Sequence, residues 1–86
     1  MNIFNIKSLI LTLCFLVACT LAEWVRCGLK FSATEDCCKE ATGTKETHYC
    51  WGDMRYHCDV GKYHGAKWKK FTDCCEDKDT SPRTCP

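Results

Sequence analysis

Ten cysteines in 86 residues constrain this chain more than any other feature. Eight of them follow residue 22, in the order Cys27, Cys37-Cys38, Cys50, Cys58, Cys74-Cys75, Cys85. The gaps between them are nine, eleven, seven, fifteen and nine residues, so two doublets divide the run symmetrically. Adjacent cysteines rarely bridge each other, because the small ring strains the peptide bond between them. Each doublet must therefore reach two different partners, tying several segments to one point. An even number of cysteines suits a disulfide framework, although spacing alone leaves most of the ~105 connectivities open.

Little else after residue 22 can build a core. Leu, Ile, Val and Phe together are five of the last 64 residues, a fraction that in a cysteine-free chain signals disorder. One Cys in eight reverses that expectation and points to a small disulfide scaffold. The aromatic side chains from Trp24 to Phe71 are expected to supply most of the buried area. Four cross-links at about 3 kcal/mol each are expected to supply the rest, mainly by restricting the unfolded chain. Neither a multidomain enzyme nor a globule with an aliphatic core fits this composition.

Residues 1–22 read as a secretory signal. Met1–Lys7 carries one positive charge, Ser8–Cys19 is an apolar run, and Thr20-Leu21-Ala22 suits cleavage after Ala22. A bilayer span needs about 20 apolar residues, and this run meets Glu23 and Arg26 too early. Leu16-Val17-Ala18-Cys19 also fits a bacterial lipobox, which would instead place a lipid on Cys19. The secreted domain is then residues 23–86. Its 11 bases balance 11 acids, so no global charge steers it to nucleic acid or membrane. It contains no Asn and hence no N-glycosylation sequon.

Two stretches alternate with period two. Val25, Cys27, Leu29 and Phe31 share one face of a predicted strand; Met54, Tyr56, Cys58 and Val60 share one face of another. Ser32–Glu35 reads as a capping box opening a short helix through Ala41, with Gly43 as its stop. Thr47–Trp51 is a further strand, joined by Trp51-Gly52-Asp53 into a hairpin. Gly61–Gly65 is a loop. Ala66–Cys75 is ambiguous, although Trp68, Phe71 and Cys75 fit a helical face. Asp77–Pro86 reads as irregular, with a turn at Ser81-Pro82. The expected fold is a small disulfide-rich α+β or β-rich domain: a short antiparallel sheet or partial barrel with one short helix and four disulfides.

The cysteine order resembles that of the fungal hydrophobins, and its first half, C-x9-CC-x11-C, is most similar to the class II members. The resemblance implies the bridges Cys27–Cys74, Cys37–Cys58, Cys38–Cys50 and Cys75–Cys85, around a small four-stranded barrel with one helix. Small secreted fungal effectors resemble hydrophobins in the same way. They keep the order of cysteines and carry polar loops, as THYCWGDMRYHC and GKYHGAKWKKFTD are here.

Few residues suggest chemistry. His48, His57 and His64 with Asp59 and Lys62 would suit a ribonuclease-like acid–base set, but no motif fixes their geometry, and surface positions are the simpler reading. His48-x-Cys50 and His57-Cys58 match no familiar zinc module, and an oxidising compartment favours disulfides. No catalytic residue, cofactor or metal is assigned. Lys62, Tyr63, Lys67, Trp68, Lys69 and Lys70 interleave cations with rings, a pattern that suits polyanions, anionic headgroups or polysaccharide. In the simpler reading, Trp68 and Phe71 are core and the lysines form a solvated face.

The sequence is thus read as a secreted, monomeric, cysteine-rich protein that works by binding outside the cell, effector-like or toxin-like, from a host-associated fungus or similar eukaryote. Its target is a protein, a glycan or an anionic surface; nucleic acid is not expected, nor a membrane span. The alternatives are a hydrophobin-like surface-active protein and a small secreted ribonuclease-like enzyme. A surface film is not expected, because Val25, Leu29, Met54 and Val60 all lie on faces assigned to the core. Intact mass should show a secreted product starting at Glu23 and lacking eight thiol hydrogens. Uptake of an alkylating agent without reduction would contradict this.

Overall fold

The computed structural model describes residues 23–86; the signal reading for residues 1–22, with the lipid alternative at Cys19, lies outside the described residues. Six elements follow one another among the described residues: β1 (Trp24–Cys27), α1 (Phe31–Thr42), β2 (His48–Cys50), β3 (Arg55–Asp59), α2 (Ala66–Asp77) and β4 (Pro82–Thr84). The strands make an open antiparallel sheet in the order β2-β3-β1-β4. Helix α1 packs on α2, β1 and β3. This is a small disulfide-rich α+β domain. The sheet does not close into a barrel, and among the described residues two helices stand where one was expected.

Helix α1 turns a face of small residues inward: Ala33, Thr34, Cys37, Cys38 and Ala41. Such a face lets the neighbouring layers approach closely, as cross-linking through short cysteine side chains requires. The helix stops at Gly43, whose φ of 90° is left-handed and whose N–H donates to Lys39 O. The expected capping box at Ser32 is not used, because the helix begins two residues earlier, with Lys30 as an N-cap that makes no side-chain bond. Helix α2 resolves the ambiguous stretch. It buries Phe71, Thr72, Cys74 and Cys75, with Trp68 packed at the edge of the core.

Both alternating stretches depart from expectation. Strand β1 ends at Cys27, because Gly28, at φ +51°, turns the chain toward α1. Leu29 and Phe31 therefore leave the inner face and are exposed. In the second stretch, in and beside β3, Cys58 and Val60 are buried as expected, but Met54 and Tyr56 are exposed, and His57, assigned to the surface, has 0% of its area accessible. Helix α1 is fastened to β3 at Cys58 and leaves the start of that strand uncovered. On the opposite face, Asp53 and Cys50 close over His57, with their ligand atoms within 4.8 Å of its ring nitrogen. The irregular C-terminus gains β4, which pairs with β1 at Arg26↔Arg83.

The bridges are Cys27–Cys75, Cys37–Cys74, Cys38–Cys58 and Cys50–Cys85, with Cα separations of 5.2–5.9 Å. All four differ from the pairs implied by the hydrophobin resemblance. The helices lie side by side, so Cys37 meets Cys74 rather than Cys58, and the next residue, Cys38, turns to Cys58. Cys75 is taken by Cys27 of β1, leaving Cys85, past the end of β4, to reach Cys50. Three bridges are nested one inside another and sit in the core with Val25, Val60 and Phe71. The fourth lies outside that cluster and pins the C-terminus beside Gly52, where a Cβ would come within 2.9 Å of Pro86.

The aromatics contribute less to the core than expected. Phe71 is fully buried, whereas Phe31, Trp51, Tyr56 and Tyr63 are exposed. Cross-linking substitutes for their burial, each bridge contributing about 3–4 kcal/mol on the chain-entropy estimate. Peptide mass spectrometry without reduction should find Cys50 joined to Cys85 alone, and the other six cysteines in one linked cluster. A peptide joining Cys75 to Cys85 would contradict this fold.

Candidate binding surface

The ladder between β1 and β3 covers Trp24↔Asp59 and Val25↔Cys58, then stops. Beyond it the Cys27 N–H donates to Thr34 Oγ1 (2.9 Å), which in turn donates to Lys30 O. The strands part there, and a groove of about 320 Å³ opens between the end of β1, the first turn of α1 and the start of β3. Its apolar walls are Leu29, Phe31, Met54 and Tyr56, and its polar edge is Arg26, Thr34 and Arg55. Leu29 and Met54 are 73% and 67% exposed, the reverse of their expected core positions.

A chain of rings extends this surface along the hairpin. Phe31 meets Tyr56 edge-on at 5.8 Å, Tyr56 meets Tyr49 at 5.1 Å, and Tyr49 meets Trp51 at 4.8 Å. The register Tyr49↔Tyr56 sets the middle pair on one face of the sheet. Trp51, in the turn, is 81% exposed. A monomer seldom leaves so many adjoining apolar side chains in water without a use for them.

A part-buried polar set braces the groove from behind. Arg26 Nε donates to Asp53 Oδ2 at 3.0 Å, and its Nη1 donates to Gly28 O. His57 Nδ1 donates to Arg55 O at 2.9 Å. Its Nε2 lies 3.0 Å from the same Asp53 oxygen, within ion-pair range but not aligned as a hydrogen bond. Asp53 Oδ1 accepts the Arg55 N–H. Desolvation pushes the Asp53 carboxyl up. The Arg26 hydrogen bond, the charges of His57 and Arg26 and the Arg55 N–H outweigh that and hold it below its ordinary value.

Apart from His57, the candidate binding and acid–base residues singled out in the sequence lie elsewhere. Lys62, Lys67, Lys69 and Lys70 are exposed, and Tyr63 is half-exposed. Trp68 packs against the core, with Tyr63 and His64 meeting it edge-on at ring distances of 5.1 and 4.5 Å. Lys69 shares a shallow depression with Asp73 and Glu76, so acids interrupt the basic stretch. His48 stacks on Trp24 at 5.0 Å, apart from the ring cluster that holds His64. Cys50, Asp53 and His57 bring ligand atoms together, as do Cys27, Cys37 and Cys75, but every sulfur in these groups belongs to a disulfide.

Sequence patterning missed the groove, although a signal was present. A strand running through Phe31 leaves no room for a turn before a helix capped at Ser32. Gly28 marks where that turn falls, which frees Leu29 and Phe31. No protein-family model, curated protein or solved structure matches this chain.

The depressed Asp53 carboxyl ties the brace to pH. Its contribution to stability is complete above the unfolded value, 3.8, and is lost as pH falls through the lower folded value. Thermal melts from pH 6 to pH 2 should show Asp53→Asn less stable than the parent at the upper end. The gap should close below about pH 3.8. A gap that stayed constant across the range would show that the carboxylate charge is not what holds the set together.

Proposed function

We propose that this is a secreted protein that works by binding outside the cell, in the manner of an effector or toxin, and that the groove and its adjoining rings are its binding surface. The observation that carries this reading is the inversion of burial. A domain very short of large apolar side chains keeps Leu29, Phe31, Met54 and Tyr56 around one exposed groove while small residues and bridges fill its interior. The eight bridged cysteines support secretion, since such a framework persists in oxidising compartments.

A hydrophobin-like surface activity is the second reading, and the same exposed side chains favour it. Against it, the apolar surface is concave and edged by Arg26 and Arg55, which hold water at an interface. A ribonuclease-like role has less support, since His57 is closed off from solvent.

Nile red, a neutral apolar dye, should bind the oxidised protein saturably with one site. Leu29→Asp with Met54→Asp should abolish binding while all four bridges form, since both side chains are exposed. Equal dye binding by the double variant would refute the groove as the binding surface. A rapid fall in surface tension with an elastic film in pendant-drop tensiometry would favour the hydrophobin-like reading instead.

A further inference from the structure

We infer that the groove takes a single-chain amphiphile with a carboxylate head, the Arg55 guanidinium holding the head while the chain lies between Leu29, Phe31, Met54 and Tyr56. This rests on the groove being the binding surface and names what binds there.

Charge points to an anion. Two guanidinium groups edge the groove, and no carboxylate lines it. Arg26 is already satisfied by Asp53 and by Gly28 O. Arg55 is exposed, and among the described residues no carboxylate lies within ion-pair distance of it. Its backbone is nevertheless fixed, through its N–H to Asp53 and its carbonyl to His57. The one unpaired cation at the groove therefore projects from a braced segment, and its planar fork matches a carboxylate with two parallel hydrogen bonds.

Volume and lining point to a chain. A volume of about 320 Å³ sits at the small end of ligand sites, which start at about 300 Å³. The walls offer two rings, a leucine and a thioether, with the Thr34 and Tyr56 hydroxyls as the uncharged polar side-chain groups. A sugar needs many more hydrogen-bonding partners than that, whereas an alkyl chain needs none. Met54 adds an adaptable wall, since an unbranched thioether side chain fits chains of varied path.

The test uses the oxidised protein and displacement of Nile red by dodecanoate, decanoate, octanoate and dodecanol, each below its aggregation threshold. Affinity should rise about fourfold per added methylene until the groove is full. Dodecanoate should bind at least about tenfold more tightly than dodecanol, and Arg55→Gln should erase that preference while leaving dodecanol unchanged. Arg55→Lys should keep part of it. If Nile red binds but dodecanol competes as well as dodecanoate, or Arg55→Gln changes nothing, the carboxylate inference fails and the groove reading stands. Failure of Nile red itself to bind overturns both. Co-sedimentation with phosphatidylserine vesicles without any competition by dodecanoate would place the groove on a membrane surface and overturn the free-chain inference.

Discussion

The cross-linking of two helices, the first of them small-faced, to one sheet is the constraint from which the rest of this structure follows. Cys37–Cys74 draws α1 against α2, while Cys38–Cys58 and Cys27–Cys75 fasten each helix to a strand. Close approach demands small neighbours, and Ala33, Thr34 and Ala41 supply them. The interior that remains has room for Phe71, Val25 and Val60 and for little more. Large side chains elsewhere in the chain have no core to enter. Their exposure follows from the architecture and is not a defect in packing.

What that exposure becomes depends on the parting of β1 and β3. Had the ladder run on from Val25↔Cys58, the next residues of both strands would have closed over the space where the groove lies. The Thr34 hydroxyl instead meets the Cys27 N–H, satisfying a backbone donor that the missing pairing would otherwise strand. Behind the opening, Asp53 gathers Arg26, His57 and the Arg55 N–H onto one carboxylate. Each of these three residues is adjacent in sequence, or next but one, to a residue that lines the groove, so a part-buried polar set sets the positions of an apolar wall.

Local signals in the sequence carried well where local physics decides. The hairpin around Trp51-Gly52-Asp53, the glycine stop at Gly43 and the spacing of Trp68, Phe71 and Cys75 all correspond to features of the fold. Period-two alternation failed at Leu29, Phe31, Met54 and Tyr56 because it identifies a face without showing whether anything covers it. Coverage here is set by where α1 is anchored, which is a matter of disulfide pairing between distant residues. The same gap hid His57, whose enclosure depends on Asp53 and on a bridge to Cys85. Cysteine order alone could not supply that pairing, and the pairing implied by the hydrophobin resemblance placed every bridge differently.

The interlaced bridges also change what proteolysis can do to this molecule. Every peptide bond between Cys27 and Cys85 is spanned by at least one disulfide, and the exposed stretch Gly43–Glu46 and the loop Gly61–Gly65 are each spanned by three. A protease that nicks either loop therefore adds one water and releases nothing. The two pieces stay registered by cross-links on both sides of the break, and the lost backbone continuity restores little freedom to the unfolded chain. Leu29, Phe31, Met54 and Tyr56 all lie on the same side of a cut in the second loop. The molecule can thus be cleaved there and still present the same surface, and the damage becomes visible only when the disulfides are reduced.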